Sequence, residues 1–514
     1  MVLAATSADE QLGPLPRRIH LAHGPHVGLK HKIALTGDDG AVSYGDLGSA
    51  IQETADDLRS LGIRAGDRIM IVSENCIALA LLLLASSAID AWPIIVNPRL
   101  SARELDLIRD HSGARRVFLT AGISKEAAAH AERYEGKALS FRRIRDVAGG
   151  PLDEAATQEP IFESAETQVG VLIYTSGTTG TPKGVMLSHR NLLFSARAAA
   201  ELRKLTELDQ VYLVLPASHI VGISVLIMSL LTGATVRLVS KYDPAALARS
   251  IGAGEVTILN GVPATYQRLL EYQTLSGVAL NRGSLRLITV AGAPLDQDLK
   301  ERTERAVGLP LLNGYGITEC SPGISAVRFE APRTDSSVGS VLPGVDVRLV
   351  DSKGVPVRDG ETGELHVRGP NVMMGYYKSP DLTAKAIDGS GWFNTGDLAV
   401  MREGALFIVG RTKEMIIRSG FNVYPAEVEA VLASHEAVVQ CAVVGRKADA
   451  NEEIVAFVQL IAGSSVTATE LMEYVRPQLT SYKRPSEIVV LKSLPATSTG
   501  KIQKHLLSES LRKP

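Results

Sequence analysis

The sequence predicts a layered α/β fold built as more than one domain. Three observations carry that reading. At 514 residues the chain exceeds what one ordinary hydrophobic core supports. Short β-branched runs alternate with helical patterns over most of its length, as in sheets of largely parallel strands covered by helices. After Arg411 the texture becomes strand–helix–strand–strand–helix–strand, enough for a small α/β domain.

In chain order, Val42-Ser43-Tyr44 leads into an amphipathic helix around Asp46 to Leu61, and Arg68 to Val72 (RIMIV) reads as a strand. Cys76 to Ile89 is apolar on every face and stops at Asp90 and Pro93, too short for a bilayer, so it predicts a buried helix. Ile94 to Val96 is a strand, and Ser101 with Glu104 three residues on is a capping box that starts a helix. Residues 122–168 are less periodic and predict surface elements. Val169 to Ile173 is a buried strand. A second α/β run follows: strand Val211 to Leu215, buried helix Ile220 to Leu231, then strands at Thr235 to Val239, Val256 to Asn260, Leu285 to Val290 and Leu311 to Leu312. From Val338 to Gly410, short strands with Gly-rich turns predict an antiparallel or barrel-like piece. In the last part, a helix starts with Pro425 in its first turn and runs to Ala433, followed by apolar runs 438–444 and 454–461 and a helix over about 467–479.

Composition narrows the class. A net charge of −2 gives no electrostatic footprint for nucleic acid or an anionic membrane. Cys76, Cys320 and Cys441 are too widely spaced for a metal-ligand pattern and favour a reducing compartment. The N-terminal stretch puts acids before bases and lacks an apolar core, unlike a signal peptide. The expectation is a cytoplasmic globular protein without integral membrane association.

One stretch carries chemistry by itself. Tyr174 to Val185 reads YTSGTTGTPKGV and follows the buried strand. Thr175, Ser176, Thr178 and Thr179 supply hydroxyls, Gly177 and Gly180 let backbone N–H groups approach an anion, and Lys183 supplies charge; together they suit polyphosphate. It is not a Walker A loop. Counting from Gly177, Pro182 stands where the second Gly belongs, and Gly184 replaces the Ser/Thr.

This loop heads an ordered series: YTSGTTGTPKGV, PASHIVG, NGYGITE, GWFNTGD, GRTKEMIIRSGFNVYPAEVE and PATSTGK. Together they resemble the adenylate-forming superfamily of acyl-CoA synthetases, peptide-synthetase adenylation domains and firefly luciferases. The resemblance implies a large N-terminal domain (1–410) of two stacked α/β subdomains plus a β-barrel. A small mobile C-terminal domain (411–514) follows, with its hinge near Lys413. It also implies ATP, Mg²⁺ and CoA as cofactor and co-substrates, with a small carboxylic acid as the substrate.

Carried over residue by residue, the resemblance puts Lys501 on the α-phosphate and carboxylate, where a cation relieves repulsion between two anions. Glu319 holds Mg²⁺, with Thr178 as a second oxygen ligand, and Thr318 donates to phosphate. Tyr315 lies against adenine, with Asn313 and Gly314 along its edge. Asp397 takes the ribose hydroxyls and Arg411 closes that end. The same correspondence has Ser419, Gly420 and Phe421 line the pantetheine channel after a domain swing, because thioester formation needs the face that Lys501 occupied. His219 gates the acyl pocket, whose lining falls to Val221, Val225, Gly261, Val262, Ala291, Gly292, Ile317 and Pro322. None of these is charged, so an ionised tail would lack a paired cation.

The implied activity is an ATP-dependent carboxylate–CoA ligase. GFNVYP resembles fatty-acid-type ligases and Ser218-His219-Ile220 resembles hydroxycinnamate ligases, so medium or long fatty acids and aromatic acids both stand. An acyl-AMP ligase loading an acyl carrier protein, and a catalytically silent acyl- or nucleotide-binding module, are the alternatives. A homodimer and a lysine acetyltransferase acting on Lys501 are further expected partners.

Overall fold

The computed structural model describes residues 14–26, 28–175, 183–280, 282–418, 421–448, 451–461, 463–496 and 502–511, without the side chains of 421, 422 and 451. Two helix-covered sheets dominate the larger part, as the α/β reading expects. The first has nine strands in the order Ser340–Val341, Gly323–Ala326, Leu311–Gly316, Leu287–Val290, Ile258–Gly261, Gln210–Leu213, Thr235–Leu238, Ile33–Gly37 and Gly40–Ser43. Leu311–Gly316 through Ile33–Gly37 pair in parallel, and the flanking strands are antiparallel. The second has five strands in the order Trp92–Val96, Arg68–Val72, Arg116–Leu119, Ala148–Gly149 and Lys137–Ala138.

Two helices that are apolar all round, Ile77–Ala88 and Ile220–Thr232, belong to one continuous core with both sheets. No polar face has to reach water, which is why neither shows amphipathic spacing. RIMIV is the strand Arg68–Val72, buried on both faces between two parallel neighbours. At Ser101 the capping box forms: the Ser101 N–H donates to Glu104 at 2.8 Å, and the Glu104 N–H donates to Ser101 Oγ at 3.3 Å.

Three sequence readings change. Lys183, Gly184 and Val185 are not loop but the start of a strand, Lys183–Ser188, antiparallel to Val169–Thr175 on one side and Gly375–Tyr376 on the other. Residues 122–168 are not wholly surface: Ala148–Gly149 is buried and pairs with Arg116–Leu119 inside the five-stranded sheet. A helix at His189–Leu202, which the sequence reading leaves out, packs against Ile220–Thr232.

The Val338–Gly410 region is a four-stranded antiparallel sheet in the order Asp346–Val350, Thr362–Arg368, Phe393–Arg402 and Ala405–Arg411. Beyond it, Val438–Ala448, Asn451–Leu460 and Glu487–Leu491 form a sheet covered by the helices Pro425–Ala433 and Ala468–Val475. Its core, from Ile416 to Ile488, is separate from the main one. Among the described residues, no helix is long and apolar enough to cross a membrane.

Asn75 fastens the start of one buried helix to the turn before the other. Its amide donates to the carbonyls of Leu213 at 3.1 Å and Leu215 at 3.0 Å, and its Oδ1 accepts from the Ala217 N–H at 2.8 Å. Asn75→Ala removes three buried bonds and is expected to lower unfolding stability by about 2–4 kcal/mol. Denaturant titration checks this, and an unchanged midpoint would mean that the turn holds itself.

Candidate active site

The parallel strands of the large sheet end along one edge, where open α/β sheets receive ligands. Leu311–Gly316 reaches that edge and delivers Ile317 and a tight 3₁₀ turn, Thr318–Cys320. Ile258–Gly261 delivers Val262, Leu287–Val290 delivers Ala291 and Gly292, and Gln210–Leu213 leads to the turn before His219. Residues more than a hundred positions apart in sequence therefore share one rim.

Asp397 is the centre of the site. It is only 3% exposed and lies on the antiparallel strand Phe393–Arg402. Arg411, its register partner on the next strand, contacts Oδ1 through Nε at 2.9 Å. The Tyr315 hydroxyl donates to Oδ2 in a short hydrogen bond. Burial and the adjacent carboxylate push the Tyr315 phenol well up, so it remains the donor. Asn313 is also committed: its amide donates to the Ser336 carbonyl at 3.0 Å, and its Oδ1 accepts from the Gly314 N–H at 3.0 Å.

Glu319 stands on the Thr318–Cys320 turn beside Thr318, half-buried. Its backbone carbonyl accepts from the Met373 N–H at 2.8 Å, and its carboxylate accepts from the Tyr376 hydroxyl at 2.9 Å. Lys183 Nζ sits 5.3 Å from the centroid of the same Tyr376 ring. One tyrosine thus touches both the candidate Mg²⁺ carboxylate and the candidate phosphate lysine. Burial, with Glu319 beside it, raises the Tyr376 phenol, so it too stays a donor. Sequence reasoning missed Tyr376; its only signal is a Gly-Tyr-Tyr run in MMGYYKSP, in a region read as short strands with Gly-rich turns. A shallow groove of about 550 Å³ opens beside it, lined by Met186, Met374, Thr383 and Ile387, but it shares none of the expected acyl residues.

Thr175 pairs with Lys183 across the base of the phosphate loop. Ser176, Gly177, Thr178, Thr179 and Gly180 lie outside the described residues, as do Ser419, Gly420 and Lys501; Phe421 is described only as backbone, opposite Arg418. On either side of residues 497–501, Ala496 bridges to Ile502 and the Gln503 N–H donates to the Pro495 carbonyl at 2.8 Å.

His219 opens the helix Ile220–Thr232 and reaches solvent at the rim. Protein packed around the ring lowers its pKa below the usual value, so the imidazole is neutral at pH 7. Gly222 is required in that first turn: a Cβ there would sit 2.4 Å from the Pro216 carbonyl oxygen. Val221 and Val225, four apart, share one helix face. Gly292 lies beside Val262, and Ile317 is pinned by its N–H to the Pro322 carbonyl at 3.0 Å. Cys320 is fully buried and its thiol is pushed up by burial, an unreactive packing residue.

At the far end of the site, Thr412 donates to Glu364 at 2.9 Å and Glu414 pairs with Lys504 at 3.0 Å. Between them Lys413 is exposed, and among the described residues its side chain has no ion-pair partner.

The AMP-binding enzyme family matches residues 27–377, and the AMP-binding enzyme C-terminal domain matches 427–501. A feruloyl-CoA synthase from Amycolatopsis sp is 35% identical over 479 residues, spanning 92% of this chain and 95% of that protein. A long-chain-fatty-acid–CoA ligase from Yersinia pestis is 31% identical, over 88% of this chain and 86% of that one. The solved structure of o-succinylbenzoate CoA synthetase from Bacillus subtilis with its acyl-adenylate intermediate aligns with a TM-score of 0.82 at 28% identity, covering 98% of this chain and 99% of that one. The same enzyme with ATP and magnesium ion gives 0.80 at 29% identity, over 96% and 99%. The chain therefore belongs to the AMP-binding enzyme family, as an AMP-forming acid–thiol ligase of the acyl-CoA synthetase group.

Tyr376 separates two contributions that substitution can read apart. Tyr376→Phe keeps the ring under Lys183 and removes the hydroxyl from Glu319, and kcat/KM for ATP is expected to fall about tenfold. Tyr376→Leu removes both and falls further. Pyrophosphate release at varied ATP checks this, and equal losses in the two variants would show that the ring contact carries nothing.

Proposed function

We propose that the chain activates a carboxylic acid with an uncharged tail as its acyl-adenylate, releasing pyrophosphate, and then transfers the acyl group to the thiol of CoA, releasing AMP. The observation that carries the reading is the meeting of Asp397, Arg411 and Tyr315 at one end of a rim whose other part holds Glu319, Tyr376 and Lys183. A carboxylate beside two donors suits ribose hydroxyls, and the distal lysine suits the leaving pyrophosphate.

Glu319 fits Mg²⁺: it is a hard oxygen ligand whose carboxylate accepts from the Tyr376 hydroxyl, and Thr318 stands beside it. In this reading Glu319, with Thr178, would hold the ion, which neutralises charge on the phosphates. Lys501 steadies the α-phosphate and the incoming carboxylate during the first half-reaction. Residues 411–514 then turn about Lys413 relative to residues 1–410, bringing Ser419, Gly420 and Phe421 to the pantetheine path. Exposed Lys413 between two anchored neighbours supports a hinge there. Thr175 and the phosphate-loop residues hold the β- and γ-phosphates, and Asn313, Gly314 and Tyr315 flank adenine.

Val221, Val225, Val262, Ala291, Gly292 and Ile317 form the acyl wall, and His219, neutral and at the rim, stands at its mouth. The uncharged wall supports a fatty or an aromatic acid, the classes named for the feruloyl-CoA synthase and the long-chain ligase. The reading also includes a cytoplasmic location, a homodimer, and control by acetylation of Lys501, which would remove its charge.

Lys501→Ala is expected to cut acyl-adenylate formation by about two to three orders of magnitude while ATP still binds. An unchanged rate would remove Lys501 from the mechanism. A panel of fatty and aromatic acids, scored by pyrophosphate release with CoA added or omitted, identifies the substrate class. AMP release with CoA present but without a thioester product would instead favour loading of a carrier protein.

A further inference from the structure

Lys504 lies three residues beyond Lys501 and begins the helix Lys504–Ser510. Its ammonium sits between two carboxylates, 3.0 Å from Glu414 Oε2 and 2.8 Å from Glu429 Oε1. Burial alone would lower its pKa, but the two carboxylates outweigh that and raise it, so the ammonium stays charged.

Each partner is fixed independently. Glu429, on the helix Pro425–Ala433, also accepts from the Val443 N–H at 2.7 Å, which ties it to the edge strand Val438–Ala448 of the small domain's sheet. Glu414 ends the short turn Thr412–Glu414, directly after Lys413. On the other side of Lys413, Arg411 is held to Asp397 at 2.9 Å and Thr412 to Glu364 at 2.9 Å. The segment 411–414 is therefore anchored to the larger part of the chain up to Thr412 and to the small domain from Glu414 onward. Lys504 makes the anchor at Glu414 itself, two residues before Ile416 enters the small domain's core. The same residue lies two positions after Ile502, which bridges to Ala496.

We propose that Lys504 is a positioning residue that joins the segment carrying Lys501 to the first residue beyond the hinge. Rotation at Lys413 is then passed through this contact to Ile502, where the segment carrying Lys501 rejoins the described chain. A hinge that turns without this clamp would move the small domain while leaving Lys501 poorly placed. The inference rests on the adenylation reading above, in which Lys501 acts on the α-phosphate.

The test uses the full chain and two separate assays: pyrophosphate release from ATP and acid, and consumption of supplied acyl-adenylate by CoA. Lys504→Met is expected to slow the first about 10- to 100-fold, the scale for misplacing a catalytic group by about 1 Å, with little change in KM for ATP. The second assay changes far less, and Lys504→Arg recovers part of the loss. Glu414→Gln slows the first assay in the same direction, and combining it with Lys504→Met adds little, because both act through one contact. If Lys504→Met fails to fold, Glu414→Gln carries the same comparison, since Lys504 keeps Glu429. Equal slowing of both assays, or wild-type rates in both, would overturn the proposal. Lys501→Ala separates the two levels. If it leaves adenylation intact, the underlying reading falls; if it abolishes adenylation while Lys504→Met is wild type, only the role of Lys504 falls.

Discussion

A carboxylate taken out of water is costly unless each of its oxygens is met by a donor. Asp397 satisfies that condition with donors from two places: Arg411 on the neighbouring strand, and Tyr315 at the end of a strand in the large parallel sheet. Removing either donor would leave a nearly buried charge short of a partner. The contact therefore holds the antiparallel sheet against the edge where the parallel strands end. It also sets the position from which the chain leaves for the small domain, because Arg411 is the last residue of its strand.

The rest of the site follows from that junction. Gly375–Tyr376 pairs beside Lys183–Ser188, so Tyr376 can face Glu319 and Lys183 at once. The buried helices Ile77–Ala88 and Ile220–Thr232 supply rigidity underneath, and Asn75 locks one to the approach of the other. Beyond Arg411, the small domain has its own core, separate from the main one.

Much of the fold was legible where burial imposes a simple pattern. RIMIV reads as a strand because parallel strands are apolar on both faces, and Ser101 with Glu104 reads as a helix start because a capping box is local chemistry. Lys183 was less transparent. Lys and Gly after a Gly-rich loop look like more loop, and only pairing with Thr175 on the neighbouring strand makes Lys183 a strand residue. Ala148–Gly149 is similar: two small residues have no period, and their burial comes entirely from pairing with Arg116–Leu119.

By itself the sequence determined the layered α/β class, the separate character of the last hundred residues, and the motif series that marks the family. These depend on spacing along the chain, which composition and periodicity record directly. Only the tertiary structure decided that Tyr315 and Arg411 share Asp397, that Tyr376 joins Glu319 to Lys183, and that Lys504 clamps Glu414. Each of these contacts joins side chains from different elements, most of them far apart in sequence. No local propensity encodes such meetings; they exist because sheet register and packing bring separate elements to one edge.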